Sequence, residues 1–84
     1  MTVSFTKAGL DDLLWWVSTD RRTAERLLRL IKEAERNPAE GIGKPERLTT
    51  GAWSRRINDK DRLVYLVDGD TITVIQCRFH YQDR

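Results

Sequence analysis

Three short apolar-rich runs in the second half of the chain most strongly limit the folds that this sequence can adopt. They cover residues 52–57, 62–67 and 71–79. Between them lie Asn58-Asp59-Lys60-Asp61 and Asp68-Gly69-Asp70, which carry residues that form tight turns. Runs of this length at hairpin spacing are typical of neighbouring antiparallel strands. The sequence therefore predicts a strand meander in its C-terminal half.

The segment before these runs predicts a short strand and a first helix. Val3 and Phe5 alternate with polar residues, as on a half-buried strand. Apolar residues then recur at helical spacing, and the predicted buried stripe consists of Leu10, Leu13, Leu14 and Val17. The adjacent Trp15 and Trp16 cannot share one helix face, so we expect one in the core and the other at its edge.

A second helix is predicted between Asp20, a favourable N-cap residue, and Asn37, which precedes a proline. Its expected buried stripe is Ala24, Leu27, Leu28, Ile31 and Ala34. Arginines follow another face, at Arg22, Arg26, Arg29 and Arg36. That face fits either a solvated surface with acidic neighbours or a surface turned toward phosphates. Helices followed by a strand meander, without regular βαβ alternation, predict an α+β fold with a mainly antiparallel sheet.

Size and composition limit the classes of function. The chain has 84 residues, which predicts one small domain over residues 1–84, and its net charge of +2 does not by itself indicate nucleic acid. One cysteine, Cys77, and one histidine, His80, form no metal-ligand set, so we predict neither a metal nor another cofactor. No apolar run reaches the roughly 20 residues of a membrane span, and we expect a cytoplasmic protein without a membrane partner.

Charged residues interrupt the apolar runs where a core alone would not need them. On a strand over residues 72–81, alternation would place Ile75, Cys77, Phe79 and Tyr81 on one face, and Gln76, Arg78 and His80 on the other. A face that changes from apolar to basic indicates a positively charged patch beside the core. Such a patch suits RNA, whose 2′-hydroxyl attacks the neighbouring phosphate when a base, a cation and an acid are supplied. The composition permits an assignment of these roles to Glu46, an arginine and His80, but does not require it.

Several motifs carry a resemblance to a known family. NPAEGIGKPERL, WSRRINDKDRLVY and CRFHY, preceded by LDDLLWWVSTDRRTAERLLRLIKEAER, resemble the YoeB/Txe toxins of the RelE superfamily over almost the whole chain. The resemblance implies a RelE-like fold, in which a short N-terminal strand and two helices pack with a curved, mainly antiparallel sheet. It also implies a toxin of a type II toxin–antitoxin system that cleaves mRNA in the ribosomal A site without a metal.

The same resemblance assigns residues and partners. By similarity, Glu46 would be the general base, Arg62 the phosphate clamp and His80 the general acid, while Tyr81 would help to position the substrate. Charge and location suggest further RNA contacts from Lys44, Arg55, Arg56 and Arg78. The implied partners are a YefM-like antitoxin, the 70S ribosome and mRNA, and a homodimer is a further hypothesis.

Two alternatives stay open. Thr49 stands where many relatives have a lysine, and the loop after it is shorter, so a ribosome- or RNA-binding blocker of translation without catalysis is one alternative. A ParE-like topoisomerase poison, which shares the fold, is the other, although such relatives usually lack the glutamate, arginine and histidine set. The three functions differ in what would be observed. A nuclease would cut the mRNA, a blocker would arrest translation on uncut mRNA, and a topoisomerase poison would damage DNA.

Overall fold

The computed structural model describes residues 1–80, which form two helices packed against a five-stranded sheet. The elements in chain order are β1 Thr2–Phe5, α1 Lys7–Thr19, α2 Arg21–Arg36, β2 Glu46–Arg47, β3 Trp53–Arg56, β4 Arg62–Asp68 and β5 Thr71–Gln76. The strand order is β1-β5-β4-β3-β2, with β1 parallel to β5 and every other pair antiparallel. The α+β class and the mainly antiparallel sheet are confirmed.

Helix α1 buries a different face from the predicted one. Its buried residues are Gly9, Asp12 and Trp16, whereas Leu14 and Val17 are each 55% exposed. Two hydrogen bonds to the backbone of Cys77 fix this rotation: Trp16 Nε1 donates to its carbonyl oxygen at 2.7 Å, and Asp12 accepts from its N–H at 3.0 Å. Polar anchoring therefore outweighs the apolar stripe, and the prediction that Leu10, Leu14 and Val17 lie in the core is wrong.

The two adjacent tryptophans behave as predicted. Trp16 is 6% exposed and belongs to the core, while Trp15 is half-buried at its edge. Their rings meet edge to face, with centroids 4.9 Å apart. Both tryptophans line one surface cavity, and Trp15 is the more exposed of the two.

Helix α2 has the predicted ends and most of the predicted core face. Asp20 caps it by accepting from the Thr23 N–H at 3.1 Å, and Asn37 is its C-cap. Leu28 is 46% exposed and Leu30 takes its place in the core, so the predicted stripe is wrong at that position. Leu28 and Leu30 lie on opposite edges of the apolar face, and the helix is rotated so that Leu30 rather than Leu28 is buried with Leu27 and Ile31.

The arginine face of α2 is not uniform. Arg26 donates to the carbonyl oxygens of Ile57 and Arg56 at 2.7 and 3.0 Å and so ties the helix to the end of β3. Arg36 pairs with Glu33 at 3.2 Å on the surface. The face thus includes one arginine with a packing role and one with an acidic neighbour, as expected for the solvated alternative.

Strand β5 is shorter than predicted. It ends at Gln76, and the chain then leaves the sheet through Cys77 to a left-handed residue, Phe79, with φ +65°. Alternation of faces therefore stops at residue 76, and the predicted faces are wrong for Cys77, Arg78 and Phe79. The physical cause is that the N–H groups of residues 77 and 79 bond to the carboxylates of Asp12 and Asp61 rather than to a strand. Tyr81, also assigned to that strand, lies outside the described residues.

The core lies between the helices and the inner face of the sheet. It contains Trp16, Ala24, Leu27, Leu30, Ile31, Ala34, Ile57, Leu63, Tyr65, Ile72, Val74 and Cys77. Within residues 1–80, neither helix combines the length and the apolar character that crossing a bilayer requires.

Candidate active site

One cavity brings most of the predicted site residues together. It has a volume of about 300 Å³ and is lined by Lys44, Glu46, Leu48, Ser54, Arg56, Arg62 and His80. Because it groups residues that were predicted to act in catalysis, we call it the catalytic cleft below. Its residues come from β2 and the loops on either side of it, from β3 and β4, and from the segment after β5. These parts of the chain are adjacent because the four strands are neighbours in the sheet.

The loop before β2 sets the position of Glu46. Glu46 pairs with Ser54 in the antiparallel β2–β3 ladder. Just before it, Gly43 has φ +85° and accepts from the Arg56 N–H at 2.7 Å, so the loop is held against β3. A Cβ at Gly43 would lie 2.8 Å from Leu30 Cδ2, and only glycine satisfies both the dihedral angle and the space.

Arg55 is placed in the interior, which corrects its assignment as an RNA contact. Its side chain is fully buried, and its guanidinium donates to the carbonyl oxygens of Asn37, Glu40 and Ile42 at 2.7, 2.8 and 3.0 Å. Its Nε donates to the hydroxyl of Tyr65 at 2.9 Å. The physical reason is alternation: Arg55 shares the inner face with Trp53, where the loop carbonyls need donors. Arg55 therefore holds the loop that leads to Glu46.

Arg56 and Arg62 form the cationic floor of the catalytic cleft. They face each other across the β3–β4 ladder, and Arg56 is exposed. Arg62 Nη1 donates to the carbonyl oxygens of Asn58 and Asp61 at 2.7 and 3.1 Å, which orients its guanidinium. Two guanidinium groups on adjacent strands suit the several oxygens of one phosphate.

The segment that carries His80 is fixed from several sides. Asp61 accepts from the Phe79 N–H at 2.6 Å, and the Arg62 N–H donates to the Phe79 carbonyl oxygen at 3.0 Å. Gln76 Nε2 donates to the Arg78 carbonyl oxygen at 2.9 Å. These bonds hold the turn against the start of β4, and His80 consequently lines the same cavity as Arg62.

The electrostatics of the catalytic cleft favour an anion. Lys44, Arg56 and Arg62 contribute three cationic side chains, against the single carboxylate of Glu46. The ion pairs within residues 1–80 all lie on helix surfaces, between Lys7 and Asp11, Lys32 and Glu35, and Glu33 and Arg36. None of these pairs neutralises a residue of the cleft. A phosphate is thus a suitable ligand, and a carboxylate and an imidazole line the same cavity.

The remaining predicted residues lie elsewhere. Arg78 lines a neighbouring cavity, where its guanidinium carbon is 3.4 Å from the ring centroid of Trp15. Tyr81 falls outside the described residues. Sequence reasoning did not single out Leu48, nor Asp61 and Gln76, which hold the His80 segment. Strand alternation puts Ser54 on the same face as Arg56, so the sequence could have indicated that Ser54 lines the site. No group of three or more His, Cys, Asp or Glu suited to a metal occurs in the part of the chain that the structure describes.

Comparisons with known proteins agree with this fold. Residues 5–81 match the family described as the YoeB-like toxin of bacterial type II toxin–antitoxin systems. The chain is 47% identical over 83 residues to Toxin YoeB of Mycobacterium bovis, covering 95% of this chain and 98% of that protein.

Solved structures agree equally well. A YoeB/ParE toxin from Agrobacterium tumefaciens superposes with a TM-score of 0.92 at 45% identity, covering 96% of this chain and 100% of that one. Two structures from Staphylococcus aureus, a heterotetrameric YoeB–YefM complex and a YoeB dimer, give TM-scores of 0.86 and 0.87 at 39% and 36% identity. Each superposition covers 96% of this chain and 98% of the Staphylococcus aureus chain. The chain therefore belongs to the YoeB-like toxins of bacterial type II toxin–antitoxin systems.

Proposed function

We propose that this toxin is a ribosome-dependent endoribonuclease that cuts mRNA in the A site and thereby inhibits translation. The observation that carries the proposal is the grouping of Glu46, Arg62 and His80 around one cavity, with Lys44 and Arg56 beside them. A base, a phosphate-binding cation and an acid are the groups that cleavage through the 2′-hydroxyl of RNA requires.

The proposed reaction uses only side chains and the RNA itself. Glu46 accepts the proton of the 2′-hydroxyl, and the 2′-oxygen bonds to the adjacent phosphorus. The bond from phosphorus to the 5′-oxygen breaks as His80 donates a proton to that oxygen, leaving a 2′,3′-cyclic phosphate and a 5′-hydroxyl. Arg62, with Arg56 and Lys44, stabilises the charge that builds on the phosphate oxygens in the transition state. Tyr81 is proposed to position the substrate.

The proposed partners follow from the same assignment. The relative from Staphylococcus aureus that was solved as a YoeB–YefM complex supports a YefM-like antitoxin for this chain, and the dimer from that organism supports a homodimer. The proposed reaction has mRNA as its substrate and takes place on the 70S ribosome, so we propose that the toxin acts in the cytoplasm.

The test is primer extension on a defined mRNA in a reconstituted translation system. The purified toxin is compared with its His80→Ala variant, each with and without ribosomes. We expect new 5′ ends within the A-site codon, dependent on ribosomes and reduced by at least about a hundredfold in the variant. Binding of the variant to ribosomes, measured by co-sedimentation, should stay within about threefold of the original, since His80 is assigned to chemistry.

Other results would replace the proposal with one of its alternatives. Arrested ribosomes on uncut message would indicate a non-catalytic blocker of translation. Unimpaired translation combined with topoisomerase-dependent DNA breaks would indicate the ParE-like activity. Equal losses of cleavage and ribosome binding in the variant would contradict the role assigned to His80.

A further inference from the structure

A second and larger cavity adjoins the catalytic cleft. It has a volume of about 540 Å³ and is lined by Trp15, Trp16, Lys60, Asp61, Arg78, Phe79 and His80. His80 lines both cavities, so they share a wall at the group proposed as the acid. Glu46, by contrast, lines only the catalytic cleft. The two cavities thus lie on different sides of one reacting centre.

The walls of the second cavity carry planar groups and cations. The guanidinium carbon of Arg78 lies 3.4 Å from the ring centroid of Trp15 and 4.5 Å from that of Phe79. Phe79 is 39% exposed, and its left-handed backbone turns the ring out of the core. Lys60 adds an exposed ammonium at the rim. A rigid group of stacked planes with a nearby ammonium binds a nucleobase and its phosphate better than it binds an aliphatic ligand.

Hydrogen bonds hold these planes in place. The Phe79 N–H donates to Asp61 at 2.6 Å, the Arg78 carbonyl oxygen accepts from Gln76, and Trp16 Nε1 bonds to the Cys77 carbonyl oxygen. Each residue from 77 to 79 is therefore anchored through its backbone. A stacking surface built this way loses little conformational freedom when a base binds.

The direction of the RNA follows from the order of the groups. In cleavage through the 2′-hydroxyl, the base acts on the nucleotide 5′ to the cut, and the acid acts on the 5′-oxygen of the nucleotide 3′ to it. We infer that the second cavity is the binding site for the nucleotide immediately 3′ to the scissile phosphate, with its base stacked on the planes of Arg78 and Phe79. The inference rests on the proposed function, because it takes the roles of Glu46 and His80 from it.

The test combines a change in the protein with a change in the RNA. The variant Arg78→Ala removes a stacking plane, and an mRNA with an abasic nucleotide immediately 3′ to the cut removes the base. Single-turnover cleavage on ribosomes is measured for all four combinations. On intact mRNA we expect Arg78→Ala to lower the rate by about tenfold, the loss typical of one stacked base. On abasic mRNA we expect the original and the variant to cleave equally.

Three further variants separate a contact with the base from damage to the fold. Lys60→Ala changes an exposed turn residue of the cavity and should lower the rate by about threefold, since one exposed phosphate contact is lost. Lys7→Ala removes an ammonium whose side chain is 91% exposed on α1, away from both cavities, and should leave the rate unchanged. Cleavage by Arg78→Lys should resemble that of Arg78→Ala, because the charge is kept and the plane is lost.

Three results would contradict the inference or the function on which it rests. If the effects of Arg78→Ala and the abasic nucleotide multiply, the residue and the base do not interact and the inference is overturned. If Arg78→Ala weakens only binding of the YefM-like antitoxin and leaves cleavage intact, the cavity belongs to a protein partner and the inference is again overturned. If the original toxin cleaves no mRNA on ribosomes, the proposed function itself fails, and this result is distinct from the other two.

Discussion

Arg55 and Arg56 are neighbours on β3, and the pleat of the strand sends their side chains to opposite faces of the sheet. Arg55 is fully buried and bonds to three loop carbonyls, while Arg56 is exposed in the catalytic cleft. The two arginines therefore have different roles. Arg55 fixes the backbone before Glu46, and Arg56 lines the catalytic cleft.

Substitution of Arg55 by lysine tests its structural duty. Lysine keeps the charge but cannot reach three carbonyls in the fork geometry of a guanidinium, so buried acceptors lose their donors. We expect the free energy of unfolding, measured by urea titration, to fall by about 1–3 kcal/mol. Cleavage should fall by about tenfold or more, because the loop that positions Glu46 moves.

Arg56→Lys is the matched control on the adjacent residue. It should change the free energy of unfolding by less than about 0.5 kcal/mol, as for a surface substitution, and still lower cleavage. Unchanged stability in Arg55→Lys, or equal destabilisation in both variants, would contradict the division between the two arginines.

Tyr65 gives a prediction about pH. Burial raises the pKa of its phenol above the ordinary value for tyrosine, and the hydrogen bond from Arg55 only partly opposes this. The unfolded state therefore loses the phenolic proton at lower pH than the folded state does. The contribution to stability is present below pH 10 and is lost as pH rises through the folded pKa.

The variant Tyr65→Phe should lack this alkaline step. It also loses the hydroxyl that accepts from Arg55 and donates to the Pro38 carbonyl oxygen at 2.6 Å, so its stability near neutral pH should be lower by about 1–3 kcal/mol. Urea unfolding at several pH values from 7 to 11 measures both effects. Parallel curves for the two proteins above pH 10 would show that Tyr65 is not the responsible group.

At the scale of elements, α1 is held unusually close to the sheet. A Cβ on Gly9 would collide with the carbonyl oxygen of Val74 in β5, so the glycine permits the close approach. Gly9→Ala should lower the free energy of unfolding by about 1–3 kcal/mol, although alanine normally favours a helix. Leu14→Ala, at a residue that is 55% exposed, should cost less than about 1 kcal/mol. A more stable Gly9→Ala variant would contradict this packing.

The helices also show what apolar periodicity can and cannot predict. Spacing located both helices and most of the core face of α2, because that face consists of apolar residues. In α1 the rotation is set by Asp12 and Trp16, which bond to backbone groups 65 and 61 residues away. A local pattern carries no information about partners so distant in the chain. The end of β5 was missed for the same reason.

The catalytic cleft exists only at the scale of the whole molecule. Glu46, Arg62 and His80 come from three segments that meet because β2, β3, β4 and β5 are consecutive in the sheet. The resemblance selected these three residues before any geometry was known. It could not separate Arg55 from Arg56, since the motif WSRRI contains both and only the direction of the pleat divides them.

The outer surface of the two helices carries an apolar patch that suits a homodimer interface. Val17 and Leu28, 55% and 46% exposed, line one shallow cavity of about 250 Å³ together with Arg21 and Glu25. Opposite charges beside an apolar patch allow a second copy, related by a twofold axis, to pair Arg21 of each protomer with Glu25 of the other. We therefore expect analytical ultracentrifugation to find a dimer at micromolar concentration.

The variant Leu28→Lys should shift the protein from dimer to monomer, because a buried unpaired ammonium opposes association. Leu66→Lys, at a residue 43% exposed on β4, is the control and should remain dimeric. A monomeric original protein would remove the homodimer, and a dimeric Leu28→Lys variant would move its interface to another surface.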